Sequence, residues 1–258
     1  KDRAMCRWAA YIGKPVFLDE IISRPGNSLV AQSQNATEAK TVTNGDGFGL
    51  AWYGERPAPG LYRDTYPAWA DPNLKSVAEQ VRSHLFLGHV RASTGAAISR
   101  DNCHPFVAGR WSFMHNGQIG GFDGFRKRAD MLIPDALYPH RRGTTDSEVL
   151  FLLALGAGLA KDPGRALARA ASTLSDLSRG HGHAPHLRLS AAFSDGTTLY
   201  AARASSDHIA PTVYYRWSDS REGWAVVSEP LELDEEDWTC LPPGMMARFD
   251  AGGVELCP

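Results

Sequence analysis

Two long Ala- and Leu-rich stretches, Asp146 to Ala160 and Arg165 to Ser178, interrupt an otherwise strand-rich chain. This order limits the fold more than any other feature. Both stretches carry helical apolar spacing, and Asp162-Pro163 supplies a cap and a first-turn residue for the second. Ahead of them, Cys6 to Ile12, Gly47 to Tyr53, Leu85 to Arg91 and Trp111 to His115 read as strands. Behind them, Asp195-Gly196 gives a hairpin signal between Leu189–Ser194 and Thr197–Arg203. Val213–Trp217, Trp224–Ser228, Met245–Phe249 and Val254–Leu256 complete the strand patterns. Strands, then paired helices, then strands predict a layered α+β fold of two sheets with helices outside. Phe17 to Ser23 is a short helical candidate, and Glu55 to Pro72 is expected to be a Pro- and Gly-rich surface loop. Asp71 is placed to cap a helix with Pro72 at its first position, running through Leu74, Val77, Ala78 and Val81. No period repeats and no low-complexity linker intervenes, so residues 6–258 are expected to form one domain.

Charge narrows the partners. The 258 residues include 27 basic and 29 acidic side chains, net −2, with a pI near 6.5. Such a balance lacks the clustered positive charge that nucleic acid or anionic lipid requires. Arg126-Lys127-Arg128 and the acidic Glu232 to Asp237 read as solvated faces. The longest apolar run, Val149 to Ala160, is shorter than the roughly 20 residues that span a bilayer. Cys6, Cys103, Cys240 and Cys257 form no CxxC pair and are too sparse for a disulfide scaffold, so a reducing, cytoplasmic setting is expected. Lys1-Asp2-Arg3-Ala4 read as an expression remnant ahead of a start at Met5, with no secretory h-region. Removal of Met5 would then leave Cys6 as the first residue.

A terminal cysteine is chemically distinctive. Its amine titrates near ~7.7–8.0 and its thiol near ~8.5, so one residue carries both a nucleophile and a base. The plain alternative is a small buried residue in an edge strand. In Gly88-His89-Val90-Arg91-Ala92-Ser93-Thr94-Gly95, a strand ends in an Arg whose fork fits a carboxylate, with Thr94 as a further donor. That Arg could instead satisfy loop carbonyls. In Phe113-Met114-His115-Asn116-Gly117, the Asn116 amide and the Gly117 N–H offer two converging donors suited to an oxyanion. An Asn-Gly hairpin turn is the alternative. Asp146, in Gly143-Thr144-Thr145-Asp146-Ser147-Glu148, either caps the following helix or holds a substrate ammonium group. A thiol, two oxyanion donors, a cation for a carboxylate and an anion for an amine together suit a γ-glutamyl amide attacked by acyl transfer.

Two other patterns compete weakly. His181-Gly182-His183-Ala184-Pro185-His186 sits on a Gly/Pro segment without a companion CxxC, and reads as a polar connector rather than a metal site. Gly45-x-Gly47-x-Gly49 lacks dinucleotide-fingerprint spacing. Cys103 and Cys240 are expected in the core or a pocket wall.

Seven motifs appear in order: Met5-Cys6-Arg7-Trp8, Asn44 to Gly49, His89 to Thr94, Asn102-Cys103-His104-Pro105-Phe106, Phe113 to Gly117, Thr145 to Glu148 and Ser228-Glu229-Pro230-Leu231. From Met5 to about Trp238 the chain resembles a class II glutamine amidotransferase of the N-terminal-nucleophile hydrolase superfamily. It is most similar to stand-alone members, such as the subunit of the fungal glutathione-degrading complex and the γ-glutamyl amidase of ergothioneine synthesis. The resemblance implies a four-layer αββα sandwich of two mainly antiparallel sheets, and a γ-glutamyl thioester on Cys6. It implies Asn116 and Gly117 as oxyanion hole, and Arg91 with Thr94 on the substrate α-carboxylate. Asp146 would hold the α-ammonium, Asn44 and Gly45 would lie behind the nucleophile, and His104 and His115 would brace the site. No cofactor and no metal is implied. Where hexosamine-synthesising members carry Trp-Ala-Thr-His after the Arg, this chain has Ala92-Ser93-Thr94-Gly95. The length leaves room for a glutaminase-type domain without an attached synthase, so the expectation is a hydrolase or a subunit serving a partner, with homo-oligomers allowed. The rival reading is a silent γ-glutamyl-binding or assembly subunit.

Overall fold

The computed structural model describes residues 6–35, 43–93, 97–232 and 237–258. In chain order the elements are β1 (Arg7–Phe17), α1 (Asp19–Ile22), α2 (Leu29–Gln34), β2 (Phe48–Tyr53), β3 (Gly60–Asp64), α3 (Pro72–Gln80) and β4 (Arg82–Val90). There follow β5 (Phe106–Ala108), β6 (Trp111–Gln118), α4 (Phe122–Asp130), α5 (Asp146–Gly156) and α6 (Pro163–Gly180). The chain closes with β7 (Arg188–Ser194), β8 (Leu199–Ser205), β9 (Tyr214–Ser218), β10 (Gly223–Val227), β11 (Thr239–Cys240), β12 (Met245–Asp250) and β13 (Gly253–Cys257). Among the described residues the strands build two antiparallel sheets, β11-β9-β10-β1-β4-β2-β3 and β13-β12-β8-β7-β6-β5.

Period-two alternation assigns each sheet two buried faces. On β1, Trp8, Ala10 and Ile12 join Leu85 and Leu87 of β4, Met114 of β6, and Ala201 and Phe249 of the second sheet in a core between the sheets. The intervening Ala9 and Tyr11 pack against Ile21, Leu29 and Leu74 of α1, α2 and α3. The opposite face of β6 gives Phe113, stacked on Phe151 of α5 with ring centroids 5.4 Å apart. Helices, sheet, sheet and helices thus form the expected αββα sandwich. Burying each such aromatic or aliphatic side chain contributes about 1.5–3 kcal/mol.

Local signals set most helix starts. The Asp71 carboxylate accepts from the Leu74 N–H at 2.7 Å, with Pro72 next in line. Asp162 accepts from the Arg165 N–H at 3.0 Å. Every turn of α6 presents Ala or Leu inward, at Ala166, Leu167, Ala170, Ala171 and Leu174. Packed against β6, α4 and α6, α5 is buried from Ser147 to Ala154, which explains its unbroken apolar run.

Four expectations need correction. The stretch from Glu55 to Pro72 is not all loop. Gly60 to Asp64 adds an edge strand to β2, and Ala68 to Ala70 forms a single 3-10 turn. Second, α5 stops at Gly156, and Gly158 takes φ +98°, so the helix does not reach Ala160. Third, Cys240 is exposed on β11, whereas Cys103 is buried as expected. Fourth, β1 lies in the interior of its sheet between β10 and β4, not at an edge. The acidic stretch from Glu232 to Asp237 falls largely outside the described residues, and Arg126-Lys127-Arg128 lie exposed on α4. No described helix is long and apolar enough to cross a membrane.

Candidate active site

Register brings the first residues together. Arg7 pairs with Val90 and Trp8 with His89, so the end of β1 meets the end of β4, where Arg91 follows. Cys6 Sγ lies 3.6 Å from the Ala92 carbonyl oxygen and accepts from the Ala92 N–H at 3.4 Å. Burial pushes the Cys6 thiol above its ordinary value, while the Ala92 hydrogen bond and the Arg91 and Arg7 guanidinium charges oppose the rise. A thiol so placed stays protonated at neutral pH unless a base takes its proton.

Arg91 is 4% exposed. Its Nη2 donates to Ser93 Oγ and to the Ala97 carbonyl, each at 3.3 Å, and its backbone bonds Gly47 and Asp46. Asp46 Oδ2 in turn accepts from the Ser93 N–H at 2.7 Å. The Asn44–Gly49 motif therefore runs beside the Arg91 segment. Asn44 itself is fully buried, anchored by its N–H to the Ser33 carbonyl at 2.7 Å. Gly45 lies under Trp69, and a Cβ there would sit 3.0 Å from the ring. Thr94 lies outside the described residues.

The second sheet supplies the facing wall. Asn116 Nδ2 donates to the Cys6 carbonyl oxygen at 2.5 Å. Asn116 and Gly117 sit within β6, paired with Ser190 and Leu189 of β7, so they are no hairpin turn. Gly117 holds φ +151°, and a Cβ would lie 1.9 Å from the Arg188 carbonyl oxygen. Beyond it, the Ile119 N–H donates to Asp146 Oδ2 at 2.7 Å, tying the end of β6 to the start of α5. Thr145, not Asp146, caps α5, its hydroxyl accepting from the Glu148 N–H at 3.3 Å. Glu148, absent from the sequence-level candidates, is buried and accepts from Arg141 Nη1 at 2.7 Å and the Gly143 N–H at 2.8 Å. It thereby shapes the loop that leads to Asp146.

Three buried imidazoles surround this corner, and none is hydrogen-bonded to Cys6 among the described residues. His115 Nε2 faces the Arg188 carbonyl at 3.1 Å and so carries the proton; its Nδ1 accepts from Ser147 Oγ at 2.9 Å. His89 and His104 stack at 4.2 Å. Burial pushes His89 down to about 3, His104 well below the usual imidazole range, and His115 downward, with the Asp146 charge opposing the last. All three are neutral and unsuited to charge transfer at neutral pH.

Buried polar atoms without a partner among the described residues gather here: both side-chain atoms of Asn44, both ring nitrogens of His89 and of His104, Asn116 Oδ1 and Arg7 Nη2. Buried donors and acceptors are ordinarily paired, so this corner is suited to a polar ligand. A separate cavity of about 840 Å³ lies between α1, α2, Trp69 and α3, and its wall includes none of Cys6, Arg91 or Asn116. Polar chemistry, not cavity size, marks the site. The His181–His186 connector bonds its rings to Leu177 O and Ser178 Oγ, and no described group of three His, Cys, Asp or Glu is arranged for a metal.

Two further residues escaped the sequence reading as site members. Arg7 is 1% exposed, its Nε donating to Glu229 Oε2 at 2.7 Å. A charge inside the apolar run Cys6-Arg7-Trp8-Ala9-Ala10 was the available signal, since buried Arg demands a partner.

A sequence profile described as glutamine amidotransferases class-II matches residues 27–217. The chain is 31% identical over 300 residues to the probable glutamine amidotransferase DUG3 of Saccharomyces cerevisiae, covering 98% of this chain and 84% of that protein. It is 26% identical over 262 residues to the gamma-glutamyl-hercynylcysteine sulfoxide hydrolase of Mycolicibacterium smegmatis, covering 98% and 100%. A solved class-II glutamine aminotransferase domain protein from Silicibacter pomeroyi superposes with a TM-score of 0.80 at 57% identity, covering 98% of each chain.

Proposed function

The chain belongs to the class II glutamine amidotransferases, and from that premise we propose that it hydrolyses a γ-glutamyl amide through Cys6. The substrate is glutamine or a γ-glutamyl compound such as glutathione, and the product is glutamate. The observation that carries this reading is the setting of the Cys6 thiol. Its hydrogen-bond partner is the Ala92 backbone, two guanidiniums lie near, and no described imidazole serves it as base. The remaining base is the α-amine of Cys6 itself.

In the first step that amine accepts the thiol proton, and the thiolate attacks the γ-carbonyl carbon. Asn116, whose amide keeps one N–H beyond the bond to Cys6, donates to the oxyanion with the Gly117 N–H. The tetrahedral species collapses as the ammonium protonates the departing amine, leaving a γ-glutamyl thioester. Water, deprotonated by the same amine, attacks the thioester and releases glutamate and the thiol. Arg91 holds the substrate α-carboxylate by its fork, joined by Thr94, and Asp146 holds the α-ammonium. Both charges sit at the Cys6 end of the sheets. In the sequence as it stands the Cys6 nitrogen is an amide to Met5, so the mechanism requires a Cys6 amine to be freed. The test is glutamate release from a γ-glutamyl panel by protein whose first residue is Cys6. Release at the Cys6→Ala background, with substrate still bound, would overturn the reading and leave a binding subunit.

A further inference from the structure

Arg7 adjoins the nucleophile in sequence but projects from the other face of β1. Trp8, Ala10 and Ile12 face the second sheet, whereas Ala9 and Tyr11 face the helices, and Arg7 shares their parity. There its Nε meets Glu229 Oε2 at 2.7 Å, with the acid fully buried. Asn27 Nδ2 donates to Glu229 Oε1 at 3.3 Å, and Gln32 Nε2 of α2 donates to the Glu229 carbonyl at 3.2 Å. Buried ion pairs often contribute less stability than apolar replacements of the same volume. Stability alone does not account for this one.

Its free reach does. Arg7 Nη1 donates to the Cys6 carbonyl oxygen at 3.1 Å, the same oxygen that accepts from Asn116 Nδ2 at 2.5 Å. One donor comes from the helical side of β1 and the other from the facing sheet, so the Cys6 peptide plane is gripped from both.

We propose that Arg7, anchored by Glu229, is a positioning residue that fixes the Cys6 peptide plane and thereby aims the thiol and α-nitrogen at the reacting carbonyl. The proposal rests on the hydrolase reading above. A chain-terminal Cys6 is tethered by a single peptide bond, and terminal residues fray unless tied down. The two-donor grip on its carbonyl restrains rotation about the Cα–C bond, and both reacting atoms hang from that Cα. The guanidinium charge acts in the same sense, favouring thiolate over thiol and free amine over ammonium. Lysine at this position would keep the charge but not the planar fork that spans Glu229 and the Cys6 carbonyl.

The test uses Arg7→Lys, Arg7→Gln and Glu229→Gln with two readouts. One is the pH midpoint of Cys6 alkylation by iodoacetamide in the full chain, read by mass spectrometry. The other is steady-state glutamate release by protein beginning at Cys6. The charged or titratable groups around the thiol are Arg7 on β1, Arg91 after β4 and Cys103 before β5. Arg7→Lys is expected to lower kcat roughly ten- to hundredfold, with KM held within about twofold and the alkylation midpoint unmoved. Arg7→Gln should lower kcat at least as far and shift the midpoint upward. Glu229→Gln, which keeps the volume, should reproduce the kcat loss if Arg7→Gln fails to fold. Parental kcat in the folded variants overturns the proposal, as does a loss shared equally by KM and kcat. If the parent itself releases no glutamate, the hydrolase reading fails; an unmoved midpoint in Arg7→Gln then overturns the role of Arg7 separately.

Discussion

The side-chain amide of Asn116 donates to the carbonyl oxygen of Cys6 across 2.5 Å, which joins the second sheet to the residue that leads into β1 of the first. One N–H of that amide is engaged by Cys6, and on the proposed reading the other serves the developing oxyanion. One side chain would then serve ground-state order and transition-state charge together.

Asn116→Ala removes both donors. In protein beginning at Cys6, kcat for glutamate release should fall by about 10²–10³, the loss seen when one oxyanion donor is deleted. KM should change little, because neither Arg91 nor Asp146 is altered. Steady-state kinetics decide it; a parental kcat would remove Asn116 from the oxyanion site.

Arg91→Ala tests the head-group contact. A hydrogen bond to a charged group contributes about 1.5–3 kcal/mol, so KM should rise roughly ten- to hundredfold. Titration of Cys6→Ala protein with glutamate, with and without Arg91→Ala, measures the same effect without turnover. Unchanged affinity would show that Arg91 does not bind the α-carboxylate.

Gly117→Ala is a backbone test. With φ at +151° and a Cβ only 1.9 Å from the Arg188 carbonyl oxygen, β6 or β7 must shift. The left-handed strain alone costs about 1–3 kcal/mol. Urea denaturation should show a loss of at least that size, and the displaced Gly117 N–H should lower kcat as well.

Acid sensitivity should come in part from the imidazoles. His89 is held down to about 3 when folded and returns to its ordinary value near 6.5 when unfolded, so the unfolded chain binds the extra proton. Its contribution is intact above about pH 6.5 and is lost as pH falls from there toward 3. His89→Leu should reduce the slope of unfolding free energy in that window by one proton, about 1.4 kcal/mol per pH unit. Denaturant midpoints across the window would read it; an identical slope would mean that His89 already titrates normally in the folded chain.

Legibility in the sequence followed interaction range. The caps at Asp71 and Asp162 and the strand alternation were readable because each signal lies within a few residues. The motifs carrying Cys6, Arg91, Asn116 and Asp146 were readable through resemblance, and the fold brings these residues to one end of the sheets. By contrast, β3 was lost among neighbouring prolines and glycines, since Gly60–Asp64 is an edge strand defined only by pairing with β2. The Asn116-Gly117 pair looked locally like a turn, and its pairing with β7 overrides that preference. Arg7 and Glu229 stand 222 residues apart, and no local pattern announces such a pair.

Placing β1 between β10 and β4 has a last consequence. A nucleophile on a surface loop can be disabled by local loosening while the rest of a protein stays intact. Cys6 instead immediately precedes a strand that is paired with β4 from Arg7 onward and with β10 from Ala9 onward, and its carbonyl is held from two layers. Loosening the thiol in the parent protein therefore means breaking that two-sided grip on its carbonyl. On the proposed reading, thermal loss of glutamate release is expected to track global unfolding of the parent.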